Sequence, residues 1–142
     1  MEFINQNILL IGVVVTSGLA LAWQFRDKLR WLKDRAINPA EATLLINRED
    51  AQVVDVREAD EFAGGHLPEA RNIPAGKLAD RVGEIEKFKD RPLILCCASG
   101  IRSGKACEQL KKAGFTRLYS LDGGFDAWRQ AGLPVRKGSR GK

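Results

Sequence analysis

Hydrophobic residues are arranged differently in the two parts of this chain. Residues 3–25 carry no charge, and the stretch from Ile8 to Trp23 is nearly all apolar. From residue 40 onward, short apolar runs alternate with segments in which apolar residues recur at helical spacing. The short runs predict four strands, at residues 53–56, 70–73, 93–97 and 117–121. The other segments predict helices at residues 40–47, 59–63, 77–88, 100–113 and 124–131.

Regular alternation of strands and helices is typical of an α/β fold. Parallel strands need crossover connections, and helices provide them while covering both faces of the sheet. We therefore predict a parallel sheet with helices on both faces and with the chemistry at the carboxyl ends of its strands. The predicted organisation is a transmembrane anchor at residues 1–25, a basic juxtamembrane helix and linker at 26–37, one α/β domain at 38–135, and a basic flexible tail at 136–142.

The N-terminal apolar stretch is long enough to cross a lipid bilayer. At about 1.5 Å per residue, a helix of this length spans most of a hydrocarbon layer about 30 Å thick. A cleaved secretory signal is the alternative, since Ala20-Leu21-Ala22 resembles a cleavage site. All 23 Lys and Arg residues follow Phe25, however, whereas a signal peptide has a positive N-terminal region. This distribution predicts a single-pass anchor with the C-terminal domain in the cytoplasm.

The net charge of +5 is unevenly distributed along the chain. Residues 36–135 contain 14 basic and 15 acidic residues, so the predicted domain is nearly neutral. The positive excess lies in residues 26–35 and in the tail. Because a nucleic-acid site would place basic residues on a folded face, we expect no nucleic-acid partner. Anionic lipid would provide a counter-charge for the basic segments, and a tail that is simply solvated is the other interpretation.

The turn after the third predicted strand contains the main candidate for chemistry. Its residues are Cys97-Ala98-Ser99-Gly100-Ile101-Arg102-Ser103. Because a helix is predicted from Gly100, the Cys97 thiol lies at a helix N-terminus. Backbone N–H groups of residues 98–103, the helix dipole and Arg102 would stabilise the thiolate over the thiol. The turn therefore predicts a nucleophilic cysteine, and the alternative is a small core residue.

The other cysteines and the single histidine form neither a metal site nor a disulfide framework. No C-x-x-C arrangement is present, and the pattern fits a reducing compartment. Cys96 points to the strand face opposite Cys97 and is predicted to be in the core. Cys107 shares a helix stripe with Ser103 and is also assigned to the core, with a resolving thiol as the alternative.

Several motifs taken in order make residues 38–135 resemble a single-domain rhodanese, a member of a sulfurtransferase family. Each motif is weak alone, and their shared order carries the resemblance. They are Val54-Asp55-Val56-Arg57-Glu58, Glu61-Phe62, Gly65-His66-Leu67-Pro68, Ala70-Arg71-Asn72-Ile73-Pro74, the Cys97 turn, Leu121-Asp122-Gly123-Gly124-Phe125 with Trp128, and Gly132-Leu133-Pro134-Val135. Glu69 departs from the pattern, since the family often has glycine there. A transmembrane anchor ahead of one such domain also resembles a known bacterial inner-membrane arrangement.

The resemblance implies a catalytic cysteine that forms a persulfide without a metal or an organic cofactor. In the family, a cysteine thiolate takes the outer sulfur of a donor such as thiosulfate and passes it to a thiol or to cyanide. Cys97 occupies the matching position, and the N–H groups of residues 98–103 would hold the anionic sulfur. Arg102 would either grip an anionic donor or brace the loop through a carboxylate.

Other residues near this sheet edge are assigned supporting roles. Asp55 and Arg57 end the first predicted strand and would brace the loop or face the donor, with bracing favoured. His66 suggests a general base for the cysteine, but the resemblance does not support that pairing, and a structural or surface histidine is preferred. A close approach of the backbone is expected at Gly123-Gly124, with Trp128 in the core.

Two other classes of function fit parts of the sequence. Cysteine phosphatases of related fold have one more residue between cysteine and arginine, whereas the C-x4-R loop here suits a single sulfur atom. A membrane-tethered interaction module with little or no turnover is the stronger alternative, although the presence of both Cys97 and Arg102 argues against a catalytically inactive site. The expected partners are a sulfane-sulfur donor, a thiol acceptor and the bilayer, and the anchor leaves room for a membrane-protein partner.

Overall fold

A computed structural model describes residues 1–138, except the side chains of residues 28, 29, 31–34 and 101. The chain divides into two compact units at Asp34 and Arg35. The first unit is helical, with α1 (Glu2–Gln6) followed by α2 (Ile8–Asp34). Within α2, the stretch Ile8–Asp27 is long and apolar enough to cross a membrane. The large apolar side chains of this stretch are exposed.

The described part of the second unit, residues 35–138, contains a five-stranded sheet and four α-helices. The strands are β1 (Ala36–Ile37), β2 (Gln52–Asp55), β3 (Arg71–Asn72), β4 (Leu93–Cys96) and β5 (Leu118–Leu121). The helices are α3 (Pro39–Glu49), α4 (Ala59–Gly64), α5 (Ile101–Lys112) and α6 (Gly124–Gln130). Three short 3-10 helices, Ala75–Lys77, Val82–Glu84 and Glu86–Phe88, connect β3 to β4.

The strand order places β4 at the centre of the sheet. The order is β1-β5-β4-β2-β3, and all neighbouring strands are parallel. After β2 the chain continues to β3 on one side, whereas after β4 it continues to β5 on the other. The carboxyl ends of β2 and β4 therefore face a crevice between diverging connections, where α/β proteins bind ligands. The predicted parallel α/β fold is confirmed.

The central strands are buried because they are continuous apolar runs, as parallel strands covered on both faces require. Every residue from Leu93 to Cys96 is buried, as are Val53 and Val54. The helix after β1 is α3, which begins at Pro39 with Asn38 as its N-cap residue. The Asn38 side chain accepts a hydrogen bond from the Glu41 N–H at 2.8 Å, and Pro39 occupies the first turn, where no N–H is needed.

Two parts of the domain differ from the sequence predictions. Residues 77–88 do not form the predicted α-helix but two of the 3-10 helices and intervening turns. Leu78, Ile85 and Phe88 are nevertheless buried, so the helical spacing identified the inward residues. Gly83 lies in the middle of this segment, and a glycine disfavours the interior of an α-helix. β1 was not predicted, because two residues are too short to show a periodicity.

The predicted flexible tail begins inside the folded unit. The Arg136 N–H donates to the His66 carbonyl at 2.9 Å, and the His66 N–H donates to the Arg136 carbonyl at 2.8 Å. The Gly138 N–H donates to the Ala63 carbonyl at 3.0 Å. Residues 136–138 are therefore attached to the domain, and the rest of the predicted tail, residues 139–142, lies outside the described residues.

Candidate active site

Cys97 lies directly after the central strand, at its carboxyl end. The chain turns through Ala98, which is half-buried, and Ser99, which is exposed, to reach Gly100, the N-cap of α5. Gly100 has a φ of +97°, a conformation that glycine adopts without steric strain. The thiol is thus held at the first turn of α5, where the helix dipole favours negative charge. The side chain of Ile101 lies outside the described residues.

Two polar groups contact the Cys97 sulfur. The Gly100 N–H donates a hydrogen bond to Sγ at 2.8 Å. The thiol donates to the Ser103 hydroxyl at 3.6 Å, and after ionisation that hydroxyl can rotate to donate to the sulfur. Both groups can therefore stabilise negative charge on Sγ. Of the expected N–H ring, the Gly100 N–H contacts the sulfur.

A second buried hydroxyl supports the first. Ser120 of β5 places its Oγ 2.7 Å from the Ser103 Oγ, and Ser103 also donates to the Gly100 carbonyl at 2.9 Å. Both serines are buried, so these bonds form away from bulk water, where polar groups need partners. The sulfur is thereby linked through hydroxyl groups to the neighbouring strand. The sequence analysis missed Ser120, although a single serine in an apolar strand is a signal that could have identified it.

The Cys97 turn packs on the backbone of the Gly123-Gly124 pair. The Phe125 N–H donates to the Cys97 carbonyl at 2.7 Å, and the Asp126 N–H donates to the Ala98 carbonyl at 3.2 Å. A Cβ on Gly124 would lie only 2.1 Å from the Cys97 carbonyl oxygen. The first turn of α6 therefore fixes the outer side of the Cys97 turn, and only glycine at position 124 permits this approach.

Arg102 is paired with a carboxylate that the sequence analysis did not assign to the site. Its Nη1 and Nη2 donate to Oε1 and Oε2 of Glu61, each at 3.1 Å. The hydrogen bonds from Arg102 lower the pKa of the Glu61 carboxyl, and the same pairing raises the pKa of the guanidinium. Both side chains are half-buried. Of the two roles considered for Arg102, this arrangement matches bracing through a carboxylate.

Asp55 and Arg57 form a separate buried pair. The Arg57 Nε and Nη2 donate to the Asp55 carboxylate, with the shortest contact at 2.7 Å. Arg57 Nη2 also donates to the Gly65 carbonyl at 2.6 Å, and its guanidinium lies 4.4 Å from the centre of the Phe125 ring. The pair therefore braces the turn before His66 and the start of α6. Arg57 is 4% exposed, so its charge is turned inward.

His66 is a structural residue in this fold. It is buried, its ring stacks on Phe62 at 3.7 Å between centroids, and its Nδ1 lies 2.8 Å from the Phe62 carbonyl oxygen. Of the two assignments preferred to a general base, these contacts match the structural one, and burial of His66 contradicts a surface position.

All three cysteines are buried, and the thiols of Cys96 and Cys107 are poorly suited to ionise. Burial raises the pKa of Cys96 well above its ordinary value. Burial also raises the pKa of Cys107 to about 12. At neutral pH both residues therefore remain thiols, whereas nucleophilic attack requires the thiolate. The structure thus leaves Cys97 as the cysteine with donors arranged around its sulfur.

Both parts of the chain are similar in sequence to known proteins. The model of the rhodanese-like domain matches residues 38–131. A protein of Escherichia coli designated uncharacterized protein YibN is 38% identical over 131 residues, which cover 92% of this chain and 85% of that protein. Because so much of the chain is aligned, the similarity includes part of the N-terminal helix.

Two further comparisons concern the domain alone. The thiosulfate sulfurtransferase GlpE of Shewanella oneidensis is 41% identical over 83 residues, covering 58% of this chain and 80% of that protein. A crystal structure of a rhodanese-related protein from Thermoplasma volcanium superposes with a TM-score of 0.65 at 32% identity. It covers 72% of this chain and 97% of that one. The fold is therefore shared with the protein from Thermoplasma volcanium, and the domain sequence is similar to both proteins.

Proposed function

The chain belongs to the rhodanese-like family, and on this basis we propose that it is a sulfurtransferase that carries sulfane sulfur as a persulfide on Cys97. The observation that carries the proposal is the environment of the Cys97 sulfur, with the Gly100 N–H at 2.8 Å and the Ser103 hydroxyl at 3.6 Å. The Gly100 N–H favours an anionic sulfur at the N-terminus of α5, and the Ser103 hydroxyl, which accepts from the thiol, can rotate away from the Gly100 carbonyl to donate to the thiolate. The sulfurtransferases among the similar proteins support the same chemistry.

The proposed reaction has two displacement steps. The Cys97 thiolate attacks the outer sulfur of a donor such as thiosulfate, the sulfur–sulfur bond of the donor breaks, and sulfite leaves with the electron pair. Cys97 then carries the additional sulfur as an anionic persulfide. An acceptor thiolate attacks that outer sulfur, and the Cys97 thiolate is the leaving group. The second step returns negative charge to the Cys97 Sγ, the atom that the Gly100 N–H and the Ser103 hydroxyl contact.

Persulfide trapping on the purified full-length chain in detergent tests this proposal. The chain is treated separately with thiosulfate, mercaptopyruvate and a persulfide generated by a cysteine desulfurase, then alkylated and analysed by peptide mass spectrometry. We expect the mass of one additional sulfur atom on the peptide containing Cys97 with at least one donor. A protein that stays unmodified with all three donors would instead be an interaction module without turnover.

We further propose that α2 anchors the protein in the bacterial inner membrane as a single-pass helix, with the catalytic domain in the cytoplasm. The length and apolar composition of Ile8–Asp27 support the anchor. The basic residues that follow Phe25 support the orientation. A domain held in this way would receive sulfur from soluble donors and deliver it to thiols near the membrane surface, including those of a membrane-protein partner.

Reporter fusions test the orientation. Green fluorescent protein fused to the C-terminus should fluoresce, and alkaline phosphatase at the same position should be inactive, because each reporter works on one side of the inner membrane. The full chain should also remain in the membrane fraction after washing at high pH. Alkaline phosphatase activity, or a mature N-terminus near Trp23, would contradict the proposed topology and favour a cleaved signal.

A further inference from the structure

We propose that Glu61 determines donor specificity: by holding Arg102 in a two-point ion pair, it disfavours dianionic donors such as thiosulfate relative to donors with one net negative charge. This inference rests on the proposed sulfur transfer through Cys97. It concerns which donor reaches that sulfur, and it assigns a role to a residue that does not contact the reacting atoms.

The geometry of the ion pair leaves little of Arg102 for an anionic substrate. Both terminal nitrogens of the guanidinium donate to Glu61, at 3.1 Å each. A sulfonate group would bind the same two parallel donors, because arginine binds planar or tetrahedral oxyanions through the guanidinium edge that carries these two nitrogens. Binding thiosulfate through Arg102 therefore requires that Glu61 be displaced or that both anions share one cation.

The surroundings of Glu61 oppose its displacement. Glu61 Oε1 also accepts a hydrogen bond from the Glu58 N–H at 3.2 Å, the contact by which the third residue of a capping box holds the start of a helix, here α4. The carboxylate thus holds the helix start and the guanidinium together.

The two classes of sulfur donor differ in the net negative charge that would lie beside Arg102 and Glu61. Thiosulfate has two negative charges, and its sulfonate end needs a counter-charge while its outer sulfur reacts. Cysteine persulfide has one net negative charge at neutral pH, and the anionic sulfur is the atom that is transferred. A Glu61 carboxylate beside Arg102 repels the dianion more strongly than the monoanion, since Coulomb energy scales with charge.

The effect should be moderate, because the pair is partly exposed. The side chains of Arg102 and Glu61 are 38% and 36% exposed, so solvent weakens their fields. We therefore expect a change of roughly fivefold in relative donor preference when Glu61 loses its charge.

The variant Glu61→Gln tests the inference with little change of shape. Glutamine can still accept the Glu58 N–H, because a capping box functions with either residue. The measured quantity is the second-order rate constant for persulfide formation on Cys97, in single turnover, for thiosulfate and for cysteine persulfide. We expect the ratio of the thiosulfate constant to the cysteine persulfide constant to rise about fivefold in Glu61→Gln.

Glu84→Gln is the matched control. Glu84 forms an ion pair with Arg81 in which the side chains are 39% and 36% exposed, similar to the values for Glu61 and Arg102. The substitution therefore removes the same unit charge from a comparable pair in the 3-10 segment. We expect it to leave the ratio of the two rate constants unchanged, because the pair lies outside the Cys97 turn.

The outcomes separate this inference from the proposed function. A raised ratio in Glu61→Gln but not in Glu84→Gln supports the role of Glu61. Persulfide formation with an unchanged or lowered ratio in Glu61→Gln, or an equal rise in both variants, overturns that role and leaves sulfur transfer intact. Absence of a Cys97 persulfide with either donor in the unsubstituted protein overturns the proposed function, and the role of Glu61 with it.

Discussion

Replacing Cys97 with alanine is expected to abolish persulfide formation and to reduce sulfur transfer by about three orders of magnitude or more. The substitution removes the attacking atom, and no neighbouring thiol can take its place. Cys96 and Cys107 are buried and have raised pKa values, so neither supplies a thiolate at neutral pH. The measurement is donor-dependent sulfur transfer to a thiol acceptor by the full-length chain, together with peptide mass spectrometry.

Cys107→Ala is the matched control for this prediction. It removes a thiol from the same helix that begins at the Cys97 turn, and its pKa of about 12 excludes it from thiolate chemistry at neutral pH. We expect it to retain sulfur transfer, with at most a modest loss of stability because a small buried group is removed. Full transfer by Cys97→Ala, or the additional sulfur on the peptide containing Cys107, would show that the nucleophile has been assigned wrongly.

Replacing Gly124 with alanine is expected to destabilise the domain by about 3–5 kcal/mol, one of the largest effects of any single substitution. Gly124 has a φ of +58°, which costs an L-residue about 1–2 kcal/mol. The added Cβ would also lie 2.1 Å from the Cys97 carbonyl oxygen and 2.8 Å from the Ala98 carbonyl carbon. Because these contacts are with backbone atoms, the Cys97 turn or α6 must move, and persulfide formation should fall even in molecules that remain folded.

Gly132→Ala separates the two causes. Gly132 has a similar φ of +71°, but a Cβ there would meet no atom within 4 Å. It should therefore show only the backbone cost, about 1–2 kcal/mol, with normal persulfide formation per folded molecule. The measurements are the thermal unfolding midpoint of the full chain in detergent and the rate of persulfide trapping. Equal shifts for the two variants would mean that the close approach to Cys97 does not matter.

The sequence predicted the features of the site that local patterns determine. The position of Cys97 followed from an uninterrupted apolar run and the start of a helix, and both are visible in consecutive residues. Pairings between distant segments could not be predicted in this way. Arg102 meets Glu61, and Ser103 meets Ser120, only because the sheet order brings these elements together.

Departures of the backbone from the predictions also have physical causes. The segment containing Gly83 buries its apolar residues at helical spacing while adopting 3-10 turns, so periodicity gave the inward face but not the type of helix. Glu69, which departs from the family pattern, has a φ of +59°. This is a conformation that glycine adopts at lower cost, and the fold tolerates the side chain in a turn.

The central position of β4 has a consequence for the delivery of sulfur in the proposed reaction. Cys97 follows the middle strand of five and is fixed on both sides by α5 and α6. Its side chain therefore cannot move outward to carry sulfur to a distant acceptor. Any recipient must bring its own thiol to the carrier. A small thiol, or a cysteine that protrudes from a protein surface, meets this requirement, whereas a cysteine recessed in a flat surface does not.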